Sequence, residues 1–394
     1  MVQIESNMLG DMSPEEFLSD YWQKKPLLIR GGFSGDPALI TAEELAGYSL
    51  DDDIESRLIQ NKVNSQNPEQ HSQHQRWQLS HGPLQEDTFE NLGEENWTLL
   101  VQSLDYFHPP LQELTKACNF LPRWRLDDIM VSFATENGGV GPHLDKYDVF
   151  LVQGEGQRRW RVGYKGQKVS SINPHPQISQ VEPFEATIDV IVNPGDVLYI
   201  PPGTPHWGIS IDNSICYSIG FRAPNIGSIL DSILSSASLE FDSLWHDEGK
   251  LKKYHALGAL HSELPEWSQQ ELAKLLNKRE LLIAAGKTVT ELKYPEMLET
   301  VSLAKSQELS EVAMSEGVVL HPLARIAYFE YEQALLTFIN GIYFQFPKGL
   351  AEAIQKLNQN LVLSKNELEE LPRLPLGEFL THGFALGALS LPEA

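Results

Sequence analysis

Two short stretches hold the residues best suited to chemistry. Gly141-Pro142-His143-Leu144-Asp145 supplies an imidazole and a carboxylate two residues apart, and Pro201-Pro202-Gly203-Thr204-Pro205-His206 supplies a second imidazole 63 residues later. In an extended segment, side chains at i and i+2 share a face, so His143 and Asp145 can meet one ion. His206 follows a Pro/Gly-rich turn that closes an apolar run. Two neutral imidazoles and one carboxylate occupy one face of an octahedron, which is the donor set of non-haem Fe(II) centres. Three positions stay free, two for a bidentate 2-oxo acid and one for O2. With 12 His in the chain, a His-x-Asp pair alone carries little weight.

The surroundings add to it. From Gly195 the chain runs through five residues to Pro201-Pro202-Gly203, then two more to His206, which is the spacing of the second cupin motif. That turn presents His206 at a strand edge facing a barrel mouth. Cupins that bind Zn or Mn usually carry three histidines and a glutamate. Here Asp145 stands where they place the second histidine of a His-x-His pair, which favours iron with 2-oxoglutarate as cosubstrate over an isomerase.

The far carboxylate of a 2-oxo diacid needs a cation. Arg158 and Arg159 are adjacent, so a strand directs them to opposite faces. Arg158 shares its face with Trp160 and Val162, and this apolar company favours it as the inward one, its planar fork matching a carboxylate. The competing arrangement leaves both arginines solvated on an edge. Ser132, on the face of Met130, Ala134 and Glu136, can add a hydroxyl, although a lone serine is unremarkable.

The elements that must hold these residues are legible in outline. Strands are expected near 129–135, 147–153, 158–163, 188–192, 197–200, 207–211 and 215–221, separated by Gly, Pro and Asn, a pattern of all-β barrels. Gln153-Gly154-Glu155-Gly156-Gln157 reads as a hairpin between two of them. Upstream, Ser13-Pro14-Glu15-Glu16 is a helix start with cap, proline and acids in place. Lys25 to Gly32 reads as a short strand ending in a glycine turn, residues 41–60 as helical and acidic, and 61–92 as a polar loop. His71, His74 and His81 in that loop suit no ligand template. Beyond Pro224, Ile226, Ile229, Leu230, Ile233 and Leu234 recur at helical spacing, and helical patterns run to about residue 290. That stripe is either a contact between subunits or intrachain core. The last hundred residues read as a compact α+β module, winged-helix in shape. It holds more acid than base, so it is not built for DNA.

Composition sets the remaining bounds. The 394 residues leave room for two or three domains, and 41% hydrophobic residues suffice for real cores. A formal net charge of −24 argues against nucleic acid and anionic membranes; it fits either a basic partner or solubility alone. Two cysteines, Cys118 and Cys216, give no disulfide framework and fit a reducing cytoplasm. No signal peptide or membrane-spanning run is evident.

Three segments lie in matching order and at compatible separations: Phe17 to Arg30, Val140 to Phe150, and Gly156 to Trp160. Together they resemble the bacterial JmjC-type ribosomal oxygenases, over the whole chain. The resemblance implies an α+β protein: a double-stranded β-helix (cupin/JmjC) oxygenase domain at 1–222 with N-terminal helical elements, a helical dimerisation segment at 223–290, and a winged-helix-like module at 291–394. It implies a homodimeric Fe(II)/2-oxoglutarate dioxygenase that hydroxylates C3 of an arginine in large-subunit ribosomal protein sixteen. His143, Asp145 and His206 would then hold iron, and Arg158 and Ser132 would hold 2-oxoglutarate. Glu136 would stand near the substrate guanidinium; a solvated loop carboxylate is the competing reading. A histidine hydroxylase or N-methyl-lysine demethylase shares the same metal site, and spacing does not separate them. An acidic ribosome-assembly scaffold with a retired barrel is the non-catalytic alternative.

Overall fold

The computed structural model describes residues 8–62, 76–175, 177–235, 244–246 and 263–392. The chain divides into two compact units, residues 1–222 and 223–394.

The first unit opens with α1 (Pro14–Asp20), β1 (Leu27–Ile29), α2 (Ala42–Tyr48), β2 (Ser56–Lys62), β3 (Arg76–His81), α3 (Glu86–Glu90), β4 (Trp97–Val101) and α4 (Gln112–Ala117). It continues through β5 (Leu126–Ala134), β6 (Asp148–Glu155), β7 (Arg158–Val162), β8 (Ser171–His175), β9 (Ile178–Val181), β10 (Ile188–Val192), β11 (Val197–Ile200), β12 (His206–Ser210) and β13 (Ser214–Phe221). One eight-stranded sheet has the order β1-β11-β6-β13-β5-β4-β2-β3, and a three-stranded sheet has the order β10-β7-β12. The ladders within both are antiparallel.

The central strands of the large sheet are apolar on both faces because both are covered. On β6, Val149 and Leu151 face Trp160, Val162 and Val192 of the smaller sheet. Phe150 and Val152 face the N-terminal elements. Helix α1 starts where its cap chemistry places it: Ser13 Oγ accepts from Glu16 N at 3.2 Å, and Pro14 fills the first turn. Its one buried residue, Phe17, packs against Phe150 and Tyr199 with ring centroids 5.4 and 5.0 Å away. The N-terminal helix therefore backs the strand that follows Asp145.

Three expectations need correction. Residues 56–62 are strand rather than helix, and β3 and α3 lie within the stretch read as a polar loop. Together with β4 these strands extend the barrel sheet by three. His71 and His74 lie outside the described residues, and His81 Nε2 lies 3.3 Å from Gln177 Oε1. The turn at 153–157 is not a hairpin: β6 and β7 belong to different sheets, so the chain crosses from one layer to the other there. Gly156, at φ +61°, makes that corner.

The second unit contains α5 (Ile226–Leu234), α6 (Leu264–Leu275), α7 (Lys278–Thr290), α8 (Leu303–Glu316), β14 (Val318–Leu320), β15 (Ile326–Tyr331), β16 (Ala334–Ile339), β17 (Ile342–Pro347), α9 (Ala351–Asn360), β18 (Val362–Leu363), α10 (Lys365–Glu369), α11 (Arg373–Ala385) and β19 (Leu389–Ser390). β15-β16-β17 form one antiparallel meander, and β14 pairs with both β18 and β19. Its core joins α8, α9, α10 and α11 through Ala313, Ile354, Leu357, Leu368, Phe379 and Leu380. Much of the 236–262 stretch read as helical lies outside the described residues.

Candidate functional site

His143 sits in the approach to β6 and His206 opens β12. An isolated antiparallel bridge joins them: each backbone N–H donates to the other's carbonyl at 3.0 Å. The ring centroids are 4.1 Å apart. Asp145 Oδ2 lies 3.4 Å from His206 Nε2 and 3.9 Å from His143 Nε2. One ligand atom from each of the three residues fits within a 4.8 Å group.

Local backbone geometry sets the tautomers. His143 Nδ1 lies 3.0 Å from Gly141 O, and His206 Nδ1 lies 3.0 Å from Thr204 O. A carbonyl can only accept, so each Nδ1 carries the proton and each Nε2 presents a lone pair toward Asp145. Gly141 must be glycine: its φ is +81°, and a Cβ there would lie 2.0 Å from Gln180 Nε2. Burial, reinforced by the neighbouring His206, lowers the His143 pKa to about 4, so this imidazole is neutral at pH 7. Burial works to raise the Asp145 carboxyl. Its contacts with His206, His143 and Tyr147 outweigh that and lower the pKa to about 2. A neutral His143 imidazole beside an ionised carboxylate suits a divalent cation. The donor set fits Fe(II).

These residues open into a cavity of about 290 Å³ between the sheets, lined also by Met130, Ser132, Tyr147, Arg158 and Trp160. Arg158 is buried, Arg159 is exposed, and Trp160 and Val162 share the inward face with Arg158. The guanidinium donates through Nε to Ser214 Oγ at 2.8 Å, through Nη1 to Ser132 Oγ at 2.8 Å, and through Nη2 to the carbonyls of Ser132 and Ser214 at 3.0 and 3.1 Å. Among the described residues no carboxylate pairs with it, and one N–H of its five stays unpaired. Burial lowers its pKa below the ordinary arginine value. A buried cation without an acid beside it is costly unless an anion joins it.

Glu136 is not in this cavity. Strand β5 ends at Ala134 and the chain turns through Asn137 at φ 60°, so the alternation that groups Glu136 with Ser132 stops short of it. Glu136 is exposed on the other side of β4 and β5, in a separate depression.

Several lining residues escaped the sequence reading. The Tyr147 hydroxyl hydrogen-bonds Asp145; burial, Asp145 and the more distant Asp128 and Asp127 raise its pKa, so it keeps its proton and donates. Its place two residues after Asp145 was the available signal. Ser214, on β13 of the large sheet, reaches Arg158, on β7 of the small one, from one sheet to the other and had no signal. Thr98 brings a buried, unpartnered Oγ1 to the cavity wall, and Arg57 lines it from β2.

A double-stranded β-helix with two imidazoles and a carboxylate converging at its mouth defines the JmjC-type barrel. The JmjC domain matches residues 113–229, and the AraC-like ligand binding domain matches residues 186–282. Ribosomal protein uL16 3-hydroxylase of Escherichia coli K12 is 46% identical over 215 residues, 55% of this chain and 54% of that protein. The chain therefore matches about half the length of this curated relative. The structure of the Escherichia coli ribosomal oxygenase YcfD with cobalt and succinic acid superposes with a TM-score of 0.76 at 30% identity, covering 99% of this chain and 100% of that one. YcfD with cobalt and 2-oxoglutarate gives 0.74 at 29% identity, with the same coverage. The chain belongs to the JmjC-domain ribosomal oxygenases.

Proposed function

We propose that this protein is an Fe(II)- and 2-oxoglutarate-dependent dioxygenase that hydroxylates C3 of an arginine in ribosomal protein uL16. The observation that carries it is Arg158, a buried guanidinium with no acid partner among the described residues, facing the same cavity as His143, Asp145 and His206. A dicarboxylate reaching from a metal would bring an anion to that guanidinium. The relative named as a uL16 3-hydroxylase, and YcfD with cobalt and 2-oxoglutarate, support the same reading.

In this reading His143, Asp145 and His206 hold Fe(II), with O2 as the second cosubstrate. Arg158 and Ser132 hold the distal carboxylate of 2-oxoglutarate. When bound, the iron and cosubstrate supply the oxidising power for an unactivated C–H bond. The chain supplies position: Nδ1–H contacts aim both imidazoles, Tyr147 steadies Asp145, and Trp160 and Met130 keep the cavity apolar.

The rest of the architecture enters this proposal as well. Residues 1–222 form the oxygenase domain, 223–290 a dimerisation segment and 291–394 a winged-helix-like module, in a cytoplasmic homodimer. Among the described residues no helix is long and apolar enough to cross a membrane. The test is turnover of 2-oxoglutarate with Fe(II) and unmodified uL16, read by intact mass. A gain of one oxygen that is absent with His143→Ala is expected. Succinate production no higher than that variant's, with no mass change, would move the choice to the scaffold reading.

A further inference from the structure

We propose that the depression behind the catalytic cavity is a docking groove for a lysine- and arginine-rich segment of the protein substrate. This rests on the reading of the protein as a ribosomal-protein hydroxylase. Strands β4 and β5 separate the two spaces. Thr98, Leu100, Met130 and Ser132 face the cavity, while Trp97, Leu99, Phe133 and Thr135 face the depression of about 1060 Å³ on the reverse side. Alternation along two strands therefore builds one wall for two sites.

The floor and rim of the groove differ in chemistry. Ala46, Phe89, Trp97 and Phe133 make an apolar floor, with the Trp97 and Phe133 rings 5.2 Å apart. Glu43, Glu94, Glu95 and Glu136 stand around it, exposed, from three separate segments of chain. None of the four has an ion-pair partner among the described residues. Four like charges round an apolar floor repel one another, and a cationic segment relieves that repulsion. Lysine and arginine suit both parts: their methylene stems cover aromatic surface while their heads reach the carboxylates. With a net charge of −24, nucleic acid and other acidic partners are disfavoured here.

The groove is within reach of the cavity. Thr135 and Glu136 line it, and the chain continues directly through Gly138 and Val140, in the cavity wall, to His143. Chain length limits the separation of Glu136 and His143 to roughly 25 Å. A protein substrate can occupy both sites, whereas a peptide of roughly ten residues centred on the target arginine spans too little on either side.

The experiment compares wild type with Glu94→Lys/Glu95→Lys, and separately with Glu43→Lys on α2, which samples the rim from another element. Labelled full-length uL16 gives Kd by anisotropy; the same protein and a ten-residue peptide give KM and kcat by mass. The double variant is expected to raise Kd and KM for uL16 about tenfold at low salt, with the loss shrinking as salt rises. Its kcat and its KM for the peptide stay at wild-type values, and Glu43→Lys shifts uL16 in the same direction. An unchanged Kd overturns the groove, and so does a parallel loss on the short peptide, which would mean damage to the barrel. Charge-sensitive binding without hydroxylation would instead sink the hydroxylase and leave the groove standing.

Discussion

His143 and His206, 63 residues apart in sequence, exchange both of their backbone hydrogen bonds at 3.0 Å. The two imidazoles are thus registered by main chain, the stiffest connection the fold has, before any ion arrives. The pair is an isolated β-bridge outside the regular ladders. The backbone at these two residues is thereby paired without help from their side chains.

Variants of the three donor residues are therefore expected to fold. His143→Ala and Asp145→Asn keep the apo melting temperature within a few degrees of wild type, since the paired backbone remains. Wild type gains about 2.7 kcal/mol at a hundredfold excess of metal over its Kd. Thermal melts with and without Mn(II) read the difference. A metal-induced rise that survives in His143→Ala would place the ion elsewhere.

Arg158→Lys tests the cosubstrate wall. A lysine cannot reproduce four bonds to Ser132 and Ser214 from one planar group. Buried carbonyls lose donors, which costs about 1–3 kcal/mol of stability. The KM for 2-oxoglutarate is expected to rise at least roughly tenfold, the equivalent of one lost charge-assisted bond. Ser132→Ala, which loses a single partner, gives a smaller rise. Unchanged KM in Arg158→Lys, measured by succinate release, would remove Arg158 from cosubstrate binding.

The donor residues were legible because their chemistry is local: a His-x-Asp on extended backbone, a Pro/Gly turn before His206, and an Arg among apolar neighbours. What was not legible depends on pairing at long range. Strand β2 carries Arg57, Leu58 and Ile59 in a row, so its alternation is blurred, and the acids at 51–53 invite a helix reading. It is a strand because β3 and β4 hydrogen-bond to it. Glu136 was misplaced for the opposite reason: a sound alternation was extended two residues past the end of its strand. Ser214 on β13 reaches Arg158 on β7 across 56 residues and from one sheet to the other, which no local pattern encodes.

Asp148 supplies a pH test away from the donor residues. It is fully buried and accepts from Gln23 Nε2 at 2.9 Å, Tyr199 Oη at 2.6 Å and Arg125 Nη2 at 3.0 Å. Burial raises its pKa, and these three partners only partly offset that. A carboxyl titrating higher in the folded state than its unfolded value of about 3.9 holds its proton longer when folded. Its contribution to stability is whole below pH 4 and is lost as pH rises through the raised value. The stability of wild type minus that of Asp148→Asn, from urea melts, is expected to fall as pH rises from 4. A flat difference would show that the partners fully compensate burial. Asp148→Ala, which leaves Arg125 without its carboxylate, costs about 3 kcal/mol where that carboxyl is ionised.

Helix α5 carries the test of subunit association. Asn225 caps it, accepting from Ser228 N at 2.9 Å, and Ile233 is its buried residue. Ile226, Leu230 and Leu234 recur every fourth position and stay 68%, 37% and 62% exposed. Residues four apart stand on one helical face, so these three form an apolar stripe with water beside it. A second copy of the helix covers such a stripe with its own, since a two-fold contact brings the same patch together twice. Wild type is expected to sediment as a dimer. Leu230→Asp with Leu234→Asp places four charges in that contact and yields a monomer with an unchanged circular dichroism spectrum. A wild-type monomer at every concentration tested would remove the dimer, and a dimer that persists in the double variant would put its contact on another face.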